Sequence, residues 1–190
     1  MIISISGKPG SGKSTVAKKL AAALGFERIY IGAMRRDMAR KKGMTLEEFN
    51  TWSEKNEEGD KEFDEFIAKI GKEKDNIIIE SRTAFHFIPH SLKIFLDVSI
   101  EEGARRIWGA LQMKGASERN EALHLNSLED VVASIHERLK SDKKRYEQYY
   151  QIDIFDPSHY DLYADTTKLN PDEEFSQVLS FVQKTLSSKA

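Results

Sequence analysis

Ile2, Ile3 and Ile5 make a short β-branched run, and behind it Val16, Ala17, Leu20, Ala21 and Leu24 recur at helical spacing until Gly25. The first pattern predicts a strand, the second an amphipathic helix stopped by glycine. Arg28 to Ile31 reads as a second strand, Gly32 as a turn, and about Ala33 to Lys42 as a helix. Thr45-Leu46-Glu47-Glu48 is a capping-box pattern, with Phe49 and Trp52 continuing an apolar stripe. Asp60 is placed to cap a further helix carrying Phe63, Phe66, Ile67 and Ile70, whose narrow stripe suits packing better than contact with a base.

Ile77 to Glu80 is a continuous apolar run ending in a carboxylate, as expected of a strand buried on both faces, and Lys93 to Asp97 repeats the logic. Ser99 to Glu102 is a second capping box, opening a helix with Arg105 and Arg106. From Gly109 to about Asn126 the pattern weakens and predicts a mobile excursion; Ser127 then starts a long helix to about Tyr150. Leu162 to Asp165 predicts the last strand, and Asn170 before Pro171 caps a closing helix that gives way to a short tail over Ser187 to Ala190. Strands alternating with helices indicate the α/β class, a parallel five-stranded sheet with helices on both faces.

The segment between the first strand and the first helix gives this pattern a chemistry. Gly7-Lys8-Pro9-Gly10-Ser11-Gly12-Lys13-Ser14, followed by Thr15, satisfies the phosphate-binding pattern G-x-x-x-x-G-K-[ST] in the required strand-to-helix context. The glycines let successive N–H groups turn inward around an anion, and the helix adds the positive end of its dipole. Lys13 then reaches the β- and γ-phosphates, and the Ser14 hydroxyl can ligate Mg²⁺. A nucleoside triphosphate is the expected occupant.

Composition narrows the remainder. The 190 residues, 39% of them hydrophobic, suit a single domain. With 29 Lys and Arg against 31 Asp and Glu the net charge is -2, so neither nucleic acid nor an anionic membrane is an expected partner. The absence of cysteine excludes disulfides and thiolate metal sites, and the histidines show no metal-ligand spacing. With a strand starting at residue 2 and no run of about 18 apolar residues, the expectation is a cytoplasmic, monomeric protein with no signal peptide.

Transfer of a phosphoryl group needs cations that converge on it, and arginine binds phosphate oxygens with a planar fork that never deprotonates. Arg36 follows the second predicted strand and Arg82 the third, at the carboxyl ends where open α/β sheets bind ligands. Arg138, Asp142 and Arg145 share one helix face. On these residues alone, that face reads more readily as a surface ladder of ion pairs.

At these positions the chain resembles nucleoside monophosphate kinases, most closely cytidylate kinases of the bacterial and archaeal type. Gly32-Ala33-Met34-Arg35-Arg36 is similar to the family's Gly-Ala-Ile-Tyr-Arg, which implies that Arg36 binds the acceptor phosphate. Glu80-Ser81-Arg82 resembles the acidic-Gly-Arg element, implying an acceptor-phosphate contact for Arg82 and a Mg²⁺ water-shell role for Glu80. Ile135-x-x-Arg138-x-x-x-Asp142-x-x-Arg145 matches a helix pattern whose arginines contact phosphate and whose aspartate helps recognise cytosine. Asp165-Thr166-Thr167-Lys168-Leu169 resembles the Asp-Thr-Ser-x-Leu segment before the last helix. The resemblance implies a three-layer P-loop fold with a helical acceptor-binding insertion at about 32–75 and a lid at about 107–127. The departures are Ile31 for a base-reading serine, Ser81 for glycine, Thr83 for aspartate, and no second lid arginine after Arg106 unless Arg119 supplies it.

The expectation is therefore ATP-dependent, Mg²⁺-assisted phosphorylation of a nucleoside monophosphate, CMP or dCMP favoured. Lys13, Arg82, Arg138 and Arg145 are the catalytic candidates, residues 7–15 the donor site, and Arg36, Arg82, Arg138, Asp142 and Arg145 the acceptor site. An adenylate kinase or another small-molecule kinase fits the phosphate loop equally. A nucleotide switch is disfavoured, because no Asn-Lys-x-Asp guanine-reading motif occurs.

Overall fold

The computed structural model describes residues 1–114 and 125–188. In chain order the elements are β1 (Ile2–Gly7), α1 (Lys13–Leu24), β2 (Glu27–Tyr30), α2 (Ile31–Lys41), α3 (Leu46–Ser53) and α4 (Glu58–Glu73). They continue with β3 (Ile77–Glu80), α5 (Ala84–Phe87), β4 (Leu92–Asp97), α6 (Ile100–Lys114), α7 (Leu128–Tyr150), β5 (Leu162–Asp165) and α8 (Pro171–Ser187). The five strands form one parallel sheet in the order β2-β3-β1-β4-β5.

Ile77, Ile78 and Ile79 are buried, which is why this run carries no polar alternation. Each such side chain contributes about 1.5–3 kcal/mol by leaving water. One apolar layer joins the sheet to α1 and α8 through Ile3, Ile5, Leu20 and Val182. The opposite layer joins it to the α2–α4 region through Ile77, Ile79, Phe49 and Ile67. Because β1 lies between β3 and β4, the chain departs to opposite sides of it, and the crevice at its carboxyl end is the switch point where such sheets bind ligands.

Most sequence expectations match the elements, including the capping box at Thr45, the cap at Asn170 and the helix start at Ser127. Four differ. Gly32 is not a turn: α2 begins at Ile31, directly after β2, and Gly32 lies in its first helical turn against the Tyr30 ring. Asp60 is not a cap: it lies inside α4, its carboxylate turned to Arg35 and the buried Arg145. At Ser99 only half a capping box forms, because the hydroxyl accepts from the Glu102 N–H while the Glu102 carboxylate turns to Arg105 and Arg106. Gly109 does not end α6, which continues to Lys114 because Ile107 and Leu111 keep packing on Val131 and Ile135. Residues 115–124 of the expected excursion and lid, with Arg119, lie outside the described residues.

Candidate active site

At the carboxyl end of β1 the chain enters the phosphate loop through glycines that admit no other residue. Gly10 has φ +79, and a Cβ there would collide with the backbone of Gly103 in α6; Gly12 has φ +82 and lies against the Glu174 carboxylate. No side chain caps α1, so its leading N–H groups are left for an anion. The loop borders a cavity of about 750 Å³ that runs on between β3, α4 and α7.

Lys13 occupies the centre of this cavity wall. Its ammonium donates to the Lys8 carbonyl and, at 3.2 Å, to Ser11 Oγ. Burial lowers its pKa well below the ordinary value, and the nearby Arg82 and Arg138 lower it further. The site thus concentrates positive charge that a bound phosphate would relieve.

Pro9, Ser11, Ser14 and Thr15 line the cavity with the glycines, whereas Gly7 and Lys8 do not. The Gly7 carbonyl accepts from Arg82 Nη1, and Lys8 Nζ pairs with Asp97 at 2.7 Å, giving this loop lysine a structural partner. Arg36 faces the cavity, donating to the Tyr30 hydroxyl at 2.6 Å. Arg138 also lines the cavity. On the donor side, Arg106 donates to Glu174 at 2.7 Å and to the carbonyls of Thr166 and Leu169, tying α6 to the start of α8; Arg105 points outward to Glu102.

Arg82 joins the two halves. Beyond its bond to Gly7, its Nε donates to Asp142 Oδ2 at 2.9 Å, while Asp142 Oδ1 accepts from Arg145 Nη2 at 2.5 Å. Burial alone would raise the Asp142 pKa, but Arg82, Arg145 and Arg138 outweigh it and hold the carboxyl below its usual range. Arg145 is buried and does not line the cavity; it acts through the carboxylates it holds. The surface-ladder reading of this helix face is therefore excluded.

Glu80 ends β3 with Oε1 accepting from Arg28, while Oε2 is buried without a partner. An orphaned carboxylate oxygen among cavity residues is a fit for a divalent cation or its water shell. Among the described residues no three His, Cys, Asp or Glu side chains gather into a metal cluster. None of the described helices is long and apolar enough to cross a membrane.

Four cavity residues escaped sequence reasoning. Arg35 donates to Asn50 Oδ1 at 3.0 Å, to Asp60 at 2.7 Å and to Ser53 Oγ at 3.1 Å, and Asp64 accepts from Thr83 and Tyr150 at 2.6 Å each. The signal was present in part: Asp60 and Asp64 continue, at helical spacing, the stripe of Phe63 and Ile67, where a carboxylate is unexpected.

Residues 3–126 match a family model described as an AAA domain. The cytidylate kinase of Pyrococcus furiosus is 38% identical over 179 residues, 94% of this chain and 86% of the relative. That of Halobacterium salinarum is 36% identical over 184 residues, 96% of this chain and 89% of the relative. A solved shikimate kinase from Bacteroides thetaiotaomicron matches with a TM-score of 0.63 and 16% identity, covering 98% of each chain, a likeness of fold.

Proposed function

This chain belongs to the cytidylate kinase family, and from that premise we propose that it transfers the γ-phosphoryl group of ATP to a nucleoside monophosphate, CMP or dCMP before others. The observation that carries the reading is the position of Arg82, which touches the phosphate loop at Gly7 and the acceptor side at Asp142. A cation there faces both the donor and the attacking phosphate.

In this mechanism the loop N–H groups and Lys13 bind the β- and γ-phosphates. Arg36 and Arg82 hold the acceptor phosphate, and Arg138 covers the transferring group. Asp142 and Arg145 keep Arg82 in place. Ser14 and Glu80 would hold Mg²⁺, which supplies charge neutralisation on the phosphates. Positioning and electrostatics carry the reaction, and no dedicated general base is needed. The helical insertion at about 32–75 and a lid at about 107–127 would close over the substrates and exclude water. We place the enzyme in the cytoplasm as a monomer, working on small nucleotides and on neither nucleic acid nor membrane.

The test is ADP release from Mg·ATP with CMP, dCMP, UMP, AMP and GMP, each against a blank without acceptor. Stimulation by the cytidine nucleotides is expected. A flat panel would overturn the reading and withdraw the arginine roles.

A further inference from the structure

Three carboxylates line the acceptor end of the cavity, and two are already spent. Asp142 gives one oxygen to Arg82 and the other to Arg145. Asp60 gives both to Arg145, at 2.5 Å each, and one also to Arg35. Asp64 is different. Its partners are two hydroxyls, Thr83 and Tyr150, and among the described residues no cation stands within ion-pairing distance. A carboxylate offers about four lone-pair positions, so about two remain.

Arg35 of α2, bound to Asp60 one α-helical turn before Asp64, fixes a complementary group. Its Nε–H donates to Asn50 Oδ1 at 3.0 Å, which sets the orientation of the amide. The Asn50 Nδ2 donor makes no hydrogen bond among the described residues, and Asn50 lines the cavity. Phe63 and Ile31 add apolar wall to the same end. An acceptor, a donor and flat apolar surface thus meet beyond the phosphate-binding arginines.

We propose that Asp64 and Asn50 read the base of the acceptor, Asp64 accepting from an exocyclic amino group and Asn50 donating to a ring acceptor beside it. This rests on the kinase reading above and names its specificity residues. The ligand class is a 4-aminopyrimidine nucleotide: a cytosine presents the amino donor, whereas a uracil presents a carbonyl there, lone pair against lone pair. Burial supports the assignment by pushing the Asp64 carboxyl up to about 6; Thr83, Tyr150 and Arg35 oppose the shift and Asp60 adds to it. An N–H donor would stabilise that carboxylate.

The test compares kcat/KM for CMP, UMP and a cytidine-type monophosphate lacking the 4-amino group, in the intact protein and in Asp64→Asn. An unpaired buried acceptor should cost roughly 10- to 100-fold, so the unaltered protein should favour CMP over both others by that factor. In Asp64→Asn the CMP-to-UMP ratio should fall by roughly tenfold or more with the KM for ATP unmoved. A CMP-to-UMP ratio unchanged while both acceptors decline together would reduce Asp64 to a structural part and overturn the proposal. If Asp64→Asn does not fold, the unaltered protein decides: equal use of CMP and the amino-lacking analogue overturns it. That outcome leaves the kinase reading standing, whereas no stimulation by any nucleotide sinks both.

Discussion

Arg145 in α7 clasps Asp60 in α4 with one guanidinium nitrogen 2.5 Å from each carboxylate oxygen, across 85 residues of sequence. Arg35 of α2 shares that carboxylate, and Asp142 shares Arg145, so a chain of alternating charge runs from α2 and α4 to Arg82 and the phosphate loop. A buried charge chain is costly to interrupt, because each removal leaves a desolvated neighbour.

Replacing Arg145 with methionine should therefore cost about 3 kcal/mol of stability, measured by urea unfolding. Adding Asp60→Asn should cost less than the two single losses summed, because the second change removes the charge the first left unpaired. Strict additivity would show that the clasp does not couple the two helices.

Arg82→Ala should lower kcat/KM for the acceptor by about a hundredfold or more while the Kd for ATP moves only a few-fold. Arg82→Lys should recover little, since a point charge cannot contact Gly7 and Asp142 as a planar fork does. Equal losses in ATP affinity and acceptor use would remove Arg82 from the acceptor site.

Asp64 carries a pH signature in the free protein. Its folded pKa, raised to about 6 chiefly by burial, exceeds the unfolded value, so the stability of the protonated form is lost as pH rises from about 4 through 6. The ionised group then costs on the order of 2–3 kcal/mol at neutral pH. Asp64→Asn should raise the urea midpoint at pH 7.5 and lose about two-thirds of that gain at pH 4.5. An identical effect at both values would contradict it.

Much of the architecture was legible in the chain because its signals are local. The isoleucine runs of β1 and β3, the caps at Thr45, Ser127 and Asn170, and the phosphate loop each specify their own conformation. The charge chain was not legible. Asp60 near a helix start reads as a cap, and only the meeting of α2, α4 and α7 makes it the partner of Arg35 and Arg145. Arg35 and Arg36 are adjacent and chemically identical, so which one is built into the wall and which faces Tyr30 is decided by the helix direction after β2. Asn50 and Asp64 read as ordinary polar positions of charged helices until Arg35 and the two hydroxyls occupy part of each.

The central place of β1 also sets an order of events in the birth of the molecule. Ile3 is registered with Ile78 on one side and Leu92 on the other, so neither flank exists when β1 is made. At ~5–20 residues per second the partner strands follow roughly 5–20 s later, during which the nascent isoleucine run is exposed. The phosphate cradle, encoded ahead of both partner strands, is thus one of the later things to assemble, and a ribosome stalled before β4 would carry a chain unable to hold nucleotide.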